Sequence, residues 1–156
     1  MIEPASPFNG LCAVGFLARA SYALARTPVL ALFAASLGAG PEAIGFCVAI
    51  STITGIFFKM PAGVVADVLG KTRTLFAGLA CFAFIPFAYL LVSSYAALVV
   101  VRFLHGLATA IYGPVIMAVV VDMAGKKRGE MLSLFSSVTI IGNLIGAPLG
   151  GFLLGR

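Results

Sequence analysis

Apolar residues run through this chain in blocks too long for the strands or helices of a globular core, and polar residues collect in short intervals between them. The blocks cover about 10–35, 43–66, 74–92, 96–121 and 131–154. Each is close to or above the ~20 residues that an α-helix needs to cross a hydrocarbon core about 30 Å thick. In lipid, where no water satisfies the backbone, an apolar block of that length is stable as a helix. The intervals are built from helix breakers and charges: Ser36-Leu-Gly-Ala-Gly-Pro41-Glu42, the stretch 67–73, Ser93-Ser-Tyr95, and Gly125-Lys-Lys-Arg128-Gly129 after Asp122. The pattern predicts an all-α, polytopic membrane helix bundle with five transmembrane helices, forming a single transmembrane domain over residues 1–156.

Polar and small residues inside the blocks fall on narrow helical stripes. Arg19 and Arg26 lie two helical turns apart, with Tyr22 close to the same line. Thr52, Gly55, Lys59 and Gly63 form a stripe expected to face protein. Arg102, His105, Thr109 and Tyr112 recur every three or four residues, with Gly106, Ala110 and Gly113 beside them as a small-residue stripe. Gly142, Gly146 and Gly150 repeat at strict four-residue spacing, and Ser133, Ser136, Ile140 and Asn143 run alongside. Pro86 frees one carbonyl in the third block and is expected to kink it.

Composition rules out a soluble domain: 62% of the residues are hydrophobic, against about 45–50% in soluble domains. The net charge of +5 makes no basic stripe facing solvent, because several bases sit within or at the ends of apolar blocks; nucleic acid is not an expected partner. The lipid bilayer is. Cys12, Cys47 and Cys81 lack C-x-x-C spacing and read as packing residues, so no metal or cofactor is expected. No nucleophile, metal set or paired acids stand at a membrane face, so an enzyme is not expected either. Residues 1–9 have no base ahead of the first block, which is far longer than a signal-peptide core, and nothing looks cleavable. Lys71 and Arg73 occupy one interval and Lys126, Lys127 and Arg128 another, while the alternate intervals carry no base. The positive-inside rule therefore places those two loops, and the N-terminus, in the cytoplasm of a cell membrane.

The stretch Gly63-Val-Val-Ala-Asp67-Val-Leu-Gly70-Lys71-Thr-Arg73 resembles the signature loop between the second and third helices of the major facilitator superfamily of secondary transporters. Val68 stands where the family often has a base, which leaves Lys71 and Arg73 as partners for Asp67. Arg102-Phe-Leu-His105-Gly106 is similar to the R-x-x-x-G motif of the family's fourth helix. Asp122 followed by Arg128-Gly129 resembles that helix's end and the next loop. Gly142-Asn-Leu-Ile-Gly146-Ala-Pro148-Leu-Gly150-Gly151 resembles the fifth-helix motif of the family's antiporters, with the proline one residue later than in its commonest form.

The resemblance implies five of the six helices of an N-terminal half, with the remaining helices supplied by further sequence or a second chain. The implied function is transport of a small-molecule substrate, as an exporter working by ion exchange with protons as a coupling ion. An organic-anion uptake carrier and a non-transporting assembly subunit are the alternatives. Gly63, Asp67, Gly70, Lys71, Arg73, Asp122 and Arg128 would form a conformational-switch cluster. Gly142, Gly146, Pro148, Gly150 and Gly151 would pack helices.

Physical chemistry selects the candidate cavity residues. An arginine near mid-span costs about 2.5–3.5 kcal/mol on the insertion scale, so Arg26 and Arg102 are expected to face a wet cavity or a paired group. Tyr22, His105, Thr109, Tyr112 and Asn143 are expected nearby. Arg19 and Lys59 lie close enough to the headgroups to snorkel. His105 belongs to the residue type that titrates near physiological pH and would either relay protons or pack through a hydrogen bond. No carboxylate lies within a block, so a buried acid for proton coupling is not expected from these helices. The glycine stripes are expected to be contact surfaces without a complete partner inside the chain.

Overall fold

The computed structural model describes residues 7–154. Helices account for nearly all of them: α1 (Pro7–Leu24), α2 (Leu30–Ser36), α3 (Pro41–Leu69), α4 (Lys71–Ala88), α5 (Tyr95–Ala124) and α6 (Arg128–Leu154). Among the described residues no strand occurs. Four helical stretches among the described residues are long and apolar enough to cross a membrane: α3, α4 with the short 3-10 turn that follows it, α5 and α6. The chain is therefore an all-α polytopic membrane protein.

The first apolar block is helical but divided. A five-residue π-helical stretch, Ala25–Val29, joins α1 to α2. Pro28 lies in it and has no backbone N–H to return to the preceding turn, so the i→i−4 ladder cannot continue unchanged through this point. A single helix over 10–35 was the expectation; the proline replaces it with three segments.

Boundaries elsewhere follow from backbone chemistry. Pro41 opens α3, where its missing N–H is one of the unsatisfied donors of a helix start. α3 runs on to Leu69, past Ala66, with Asp67 exposed in its last turn. Gly70 then ends it with φ +93°, ψ +136°, a conformation open essentially to glycine, and the same residue starts α4. Pro86 lies near the end of α4, which gives way to the 3-10 turn Tyr89–Leu91.

The described residues form two compact units, 7–31 with 120–154 and 32–119. In the first, α1 packs on α6. The contact is as close as two helix backbones allow. A Cβ built on Gly142 would lie 2.6 Å from the Phe16 carbonyl oxygen, and those built on Gly146 and Gly150 would collide with the carbonyl oxygens of Ala20 and Leu24. The periodicity of the stripe thus matches that of the α1 backbone. Gly15 faces back the other way, beneath the Phe135 ring.

In the second unit α5 packs against α3 and α4. Gly106 sits on the backbone of Ser51, Gly55 meets Thr109, and Gly78 lies 3.3 Å by its Cβ position from the Tyr112 nitrogen. At one end the Tyr95 hydroxyl donates to the Ala43 carbonyl at 2.8 Å. The large side chains left outside, among them Phe76, Phe84, Phe87 and Leu90 of α4 and its turn, are apolar and exposed, as lipid-facing positions are.

Two expectations about these stripes are corrected. The glycines at 106, 142, 146 and 150 do have partner surfaces inside the chain, because α3 and α1 supply them. Gly113, by contrast, has nothing within 4 Å of its Cβ position. The protein-facing side of α3 is centred on Cys47, Ser51, Thr54, Gly55, Ala62 and Ala66, while Thr52 and Lys59 are exposed. Small volume decided which face packs, and a lysine stem does not fit between helices this close.

Candidate functional site

The second unit contains the most polar interior feature. Arg102 of α5 is only 2% exposed. Its Nε donates to the Cys47 carbonyl at 3.3 Å, and its Nη2 donates to the Val48 carbonyl at 3.5 Å and to the Ser51 hydroxyl. All three acceptors belong to one turn of α3. A guanidinium buried in lipid-embedded protein needs oxygen partners on several N–H groups, and this turn supplies them without a carboxylate. The placement depends on Gly106, one turn further along α5, whose lack of a side chain brings the two helices together there.

One turn beyond Arg102, His105 faces α4 instead. Its Nδ1 is 3.5 Å from the Tyr89 hydroxyl, and its ring meets Phe82 edge-on at 5.5 Å. Phe82 also stands edge-on to Tyr112 at 5.2 Å. His105 and Tyr112 are both buried, so α5 presents polar atoms to an aromatic lining made by α4. Thr109, half-buried on the same helix, turns its hydroxyl back to the Gly106 carbonyl at 2.7 Å. The expected stripe is therefore split: Arg102 points to α3, His105 and Tyr112 to α4. Ser51, Tyr89 and Phe82 complete these arrangements and carried no signal in the sequence beyond being polar or aromatic residues on apolar helices.

At the 63–73 loop, Asp67 and Arg73 are exposed and Lys71 is half-buried. The Thr74 hydroxyl and backbone N–H both donate to the Gly70 carbonyl, at 3.0 and 3.1 Å, which closes the first turn of α4 on the loop glycine. Gly63 has open space at its Cβ position and owes nothing to close packing.

In the first unit Arg26 lies within the π-helical stretch, with its guanidinium carbon 5.6 Å from the centre of the Tyr22 ring, a cation–π arrangement. π-Helical turns occur often at functional sites. Asp122 near the end of α5 and Arg128 at the start of α6 are exposed, as is Asn143 midway along α6. Pro148 is exposed and Gly151 half-buried next to the packed glycines. Lys127 and Glu130 pair at 3.8 Å in solvent.

These motifs sit on helices in the order that the family resemblance required, and comparison with known proteins agrees. The chain is 29% identical over 147 residues to an uncharacterized MFS-type transporter of Methanocaldococcus jannaschii, an alignment covering 94% of this chain and 36% of the relative. It thus spans about a third of that relative's length. The model of the Major Facilitator Superfamily matches residues 11–156, and the chain belongs to that superfamily.

Proposed function

We propose that this chain forms part of a secondary transporter that exports a small organic molecule in exchange for an ion, with its N-terminus in the cytoplasm. The superfamily match over residues 11–156 carries this reading. Alternating access works by two helical repeats rocking about a site near the bilayer midplane, so these helices act together with a second bundle. The antiporter direction is supported by the resemblance of the 142–151 stretch to the antiporter motif.

Arg26 and Tyr22, at the π-helical break, are assigned to the substrate path, with His105, Thr109, Tyr112 and Asn143 as further lining residues. Arg102 has a different part. With its N–H groups on the α3 carbonyls and Ser51, it positions α5 and thereby orients His105 and Tyr112. The 63–73 loop is assigned the conformational switch, with Gly70 as its pivot and Asp67, Lys71 and Arg73 as its charges; Asp122 and Arg128 serve the same role at the next loop. The glycine seam of Gly142, Gly146 and Gly150 holds α1 against α6 as a unit that moves without opening.

A second reading, an uptake carrier for organic anions, is favoured by one observation: Arg26 carries fixed positive charge at the π-helical break, held over the Tyr22 ring.

Everted membrane vesicles from cells expressing the full reading frame separate these readings. A panel of labelled organic cations, neutral solutes and anions is offered under an imposed pH gradient. Export predicts gradient-driven accumulation of at least one solute, abolished by Asp67→Asn at unchanged abundance. The second reading predicts instead gradient-driven accumulation of anions alone in right-side-out vesicles, sensitive to Arg26→Gln, and no gradient-dependent flux in either preparation would overturn both.

A further inference from the structure

Between α3, α4 and α5 of the second unit lies a groove of about 390 Å³ whose walls include Phe58, Val65, Leu69, Ala77 and Ile111, with Arg73 at its loop end. Arg73 is the one charged residue that lines it. The other polar side chain, Thr74, spends its hydroxyl on the Gly70 carbonyl. Phe58, Val65 and Leu69 are exposed, so among the described residues the groove opens along the outer face of helices long and apolar enough to cross a membrane.

The geometry points to a bound anionic phospholipid, with one acyl chain in the groove and its phosphate on Arg73. Three features fit that occupant. From Leu69 to Phe58 α3 rises about 16 Å at 1.5 Å per residue, which is close to half of a hydrocarbon core about 30 Å thick. The groove is therefore one leaflet deep. It starts at the α3–α4 loop, where headgroups lie, and ends near mid-membrane, where a chain ends. Its charge is at the headgroup end: Arg73 is exposed and pairs with no acid among the described residues. A soluble organic solute would need polar contacts along the groove, and the walls offer none. The lipid would brace α3 against α4 on either side of Gly70, the residue on which the loop turns.

Residues 1–156 contain no tryptophan, so in the full protein, with any tryptophan outside them replaced by phenylalanine, Phe58→Trp puts a single fluorophore at the deep end of the groove, and Phe84→Trp puts one on the exposed face of α4 away from it. Each variant is reconstituted in phosphatidylcholine vesicles containing increasing fractions of dibrominated phosphatidylglycerol or dibrominated phosphatidylcholine, and quenching is compared. At position 58 the anionic lipid should be preferred roughly fivefold, the effect expected of one basic residue near anionic headgroups. At position 84 the two lipids should quench alike. Arg73→Gln in the Phe58→Trp background should bring the preference to about one, and Arg73→Lys should restore most of it. Equal quenching at position 58 with Arg73 present would overturn the proposal, as would a preference that survives Arg73→Gln. Loss of all quenching at position 58 alone would also overturn it, by showing that protein, such as a second copy of the chain, fills the groove. Native mass spectrometry of the unsubstituted chain and of Arg73→Gln gives a test free of tryptophan. Phosphatidylglycerol should stay bound to the first and be lost from the second; equal retention would reject the site.

Discussion

Arg102 and Ser51 are hydrogen-bonded across the α5–α3 contact, guanidinium to hydroxyl, and the same guanidinium reaches the carbonyls of Cys47 and Val48 one turn away. Arginine is thus used here as a helix clamp. Arg102→Ala should lower helix-bundle stability by about 1–3 kcal/mol, between the values typical of charged and of interhelical membrane hydrogen bonds. Ser51→Ala should cost less, about 0.6 kcal/mol. Reversible unfolding in mixed micelles measures both. If Arg102→Met proves as stable as the parent and yet inactive in transport, the clamp is dispensable and the arginine serves the substrate directly.

The glycine seam between α1 and α6 predicts a graded steric series. Gly142→Ala, Gly146→Ala and Gly150→Ala each drive a methyl into a backbone carbonyl that cannot rotate away, and overpacking of this kind costs about 1–3 kcal/mol. Gly113→Ala should be neutral or slightly stabilising, because its Cβ position is open and alanine is the better helix former. The same unfolding assay distinguishes the two groups. Equal, small effects at all four positions would mean that α1 and α6 do not touch along this seam.

Gly70 makes a conformational prediction separate from packing. Its φ of +93° lies where a side chain is strained, although the space around it is empty. Gly70→Ala should therefore destabilise the α3–α4 turn by about 1–3 kcal/mol, read as faster proteolysis at the junction between Leu69 and Lys71. Gly63→Ala, also in open space but at helical φ, should leave proteolysis unchanged.

The proposed orientation rests on the bases Lys71, Arg73, Lys126, Lys127 and Arg128. With Cys12, Cys47 and Cys81 replaced by alanine, cysteine introduced at Thr72 or Lys127 should react with an impermeant maleimide only in opened cells. Cysteine introduced at Gly38, in the turn between α2 and α3, should react in intact cells. Labelling at Thr72 in intact cells would reverse the topology.

Much of the architecture was legible because it rests on local quantities. The length of an apolar run, a proline inside it, or a glycine between a carboxylate and a lysine is enough to set where a helix starts, breaks and turns. The turn at Gly70 was readable from a glycine between Asp67 and Lys71, whereas the helices reach Leu69 and Lys71 instead of stopping at Ala66 and resuming at Thr74. The division of the first block was the local feature that length and hydropathy concealed: Pro28 is compatible with either a kinked helix or a π-helical turn, and the chain takes the π-helical turn over Ala25–Val29.

The sequence by itself determined that the chain is helical and embedded in lipid, that it belongs to the major facilitator pattern, and which helix faces carry small or polar residues. It could do so because transfer from water to hydrocarbon and helical periodicity act residue by residue. Only the tertiary structure decided which partner each face meets. Arg102 places its donors on α3 while His105, three residues on, turns to Tyr89 and Phe82; the glycines of α6 close on the carbonyls of α1; and Arg73 lines the loop end of an apolar groove. These outcomes depend on how near two backbones can approach. That distance is set jointly by residues far apart in the chain, and no single stripe contains it.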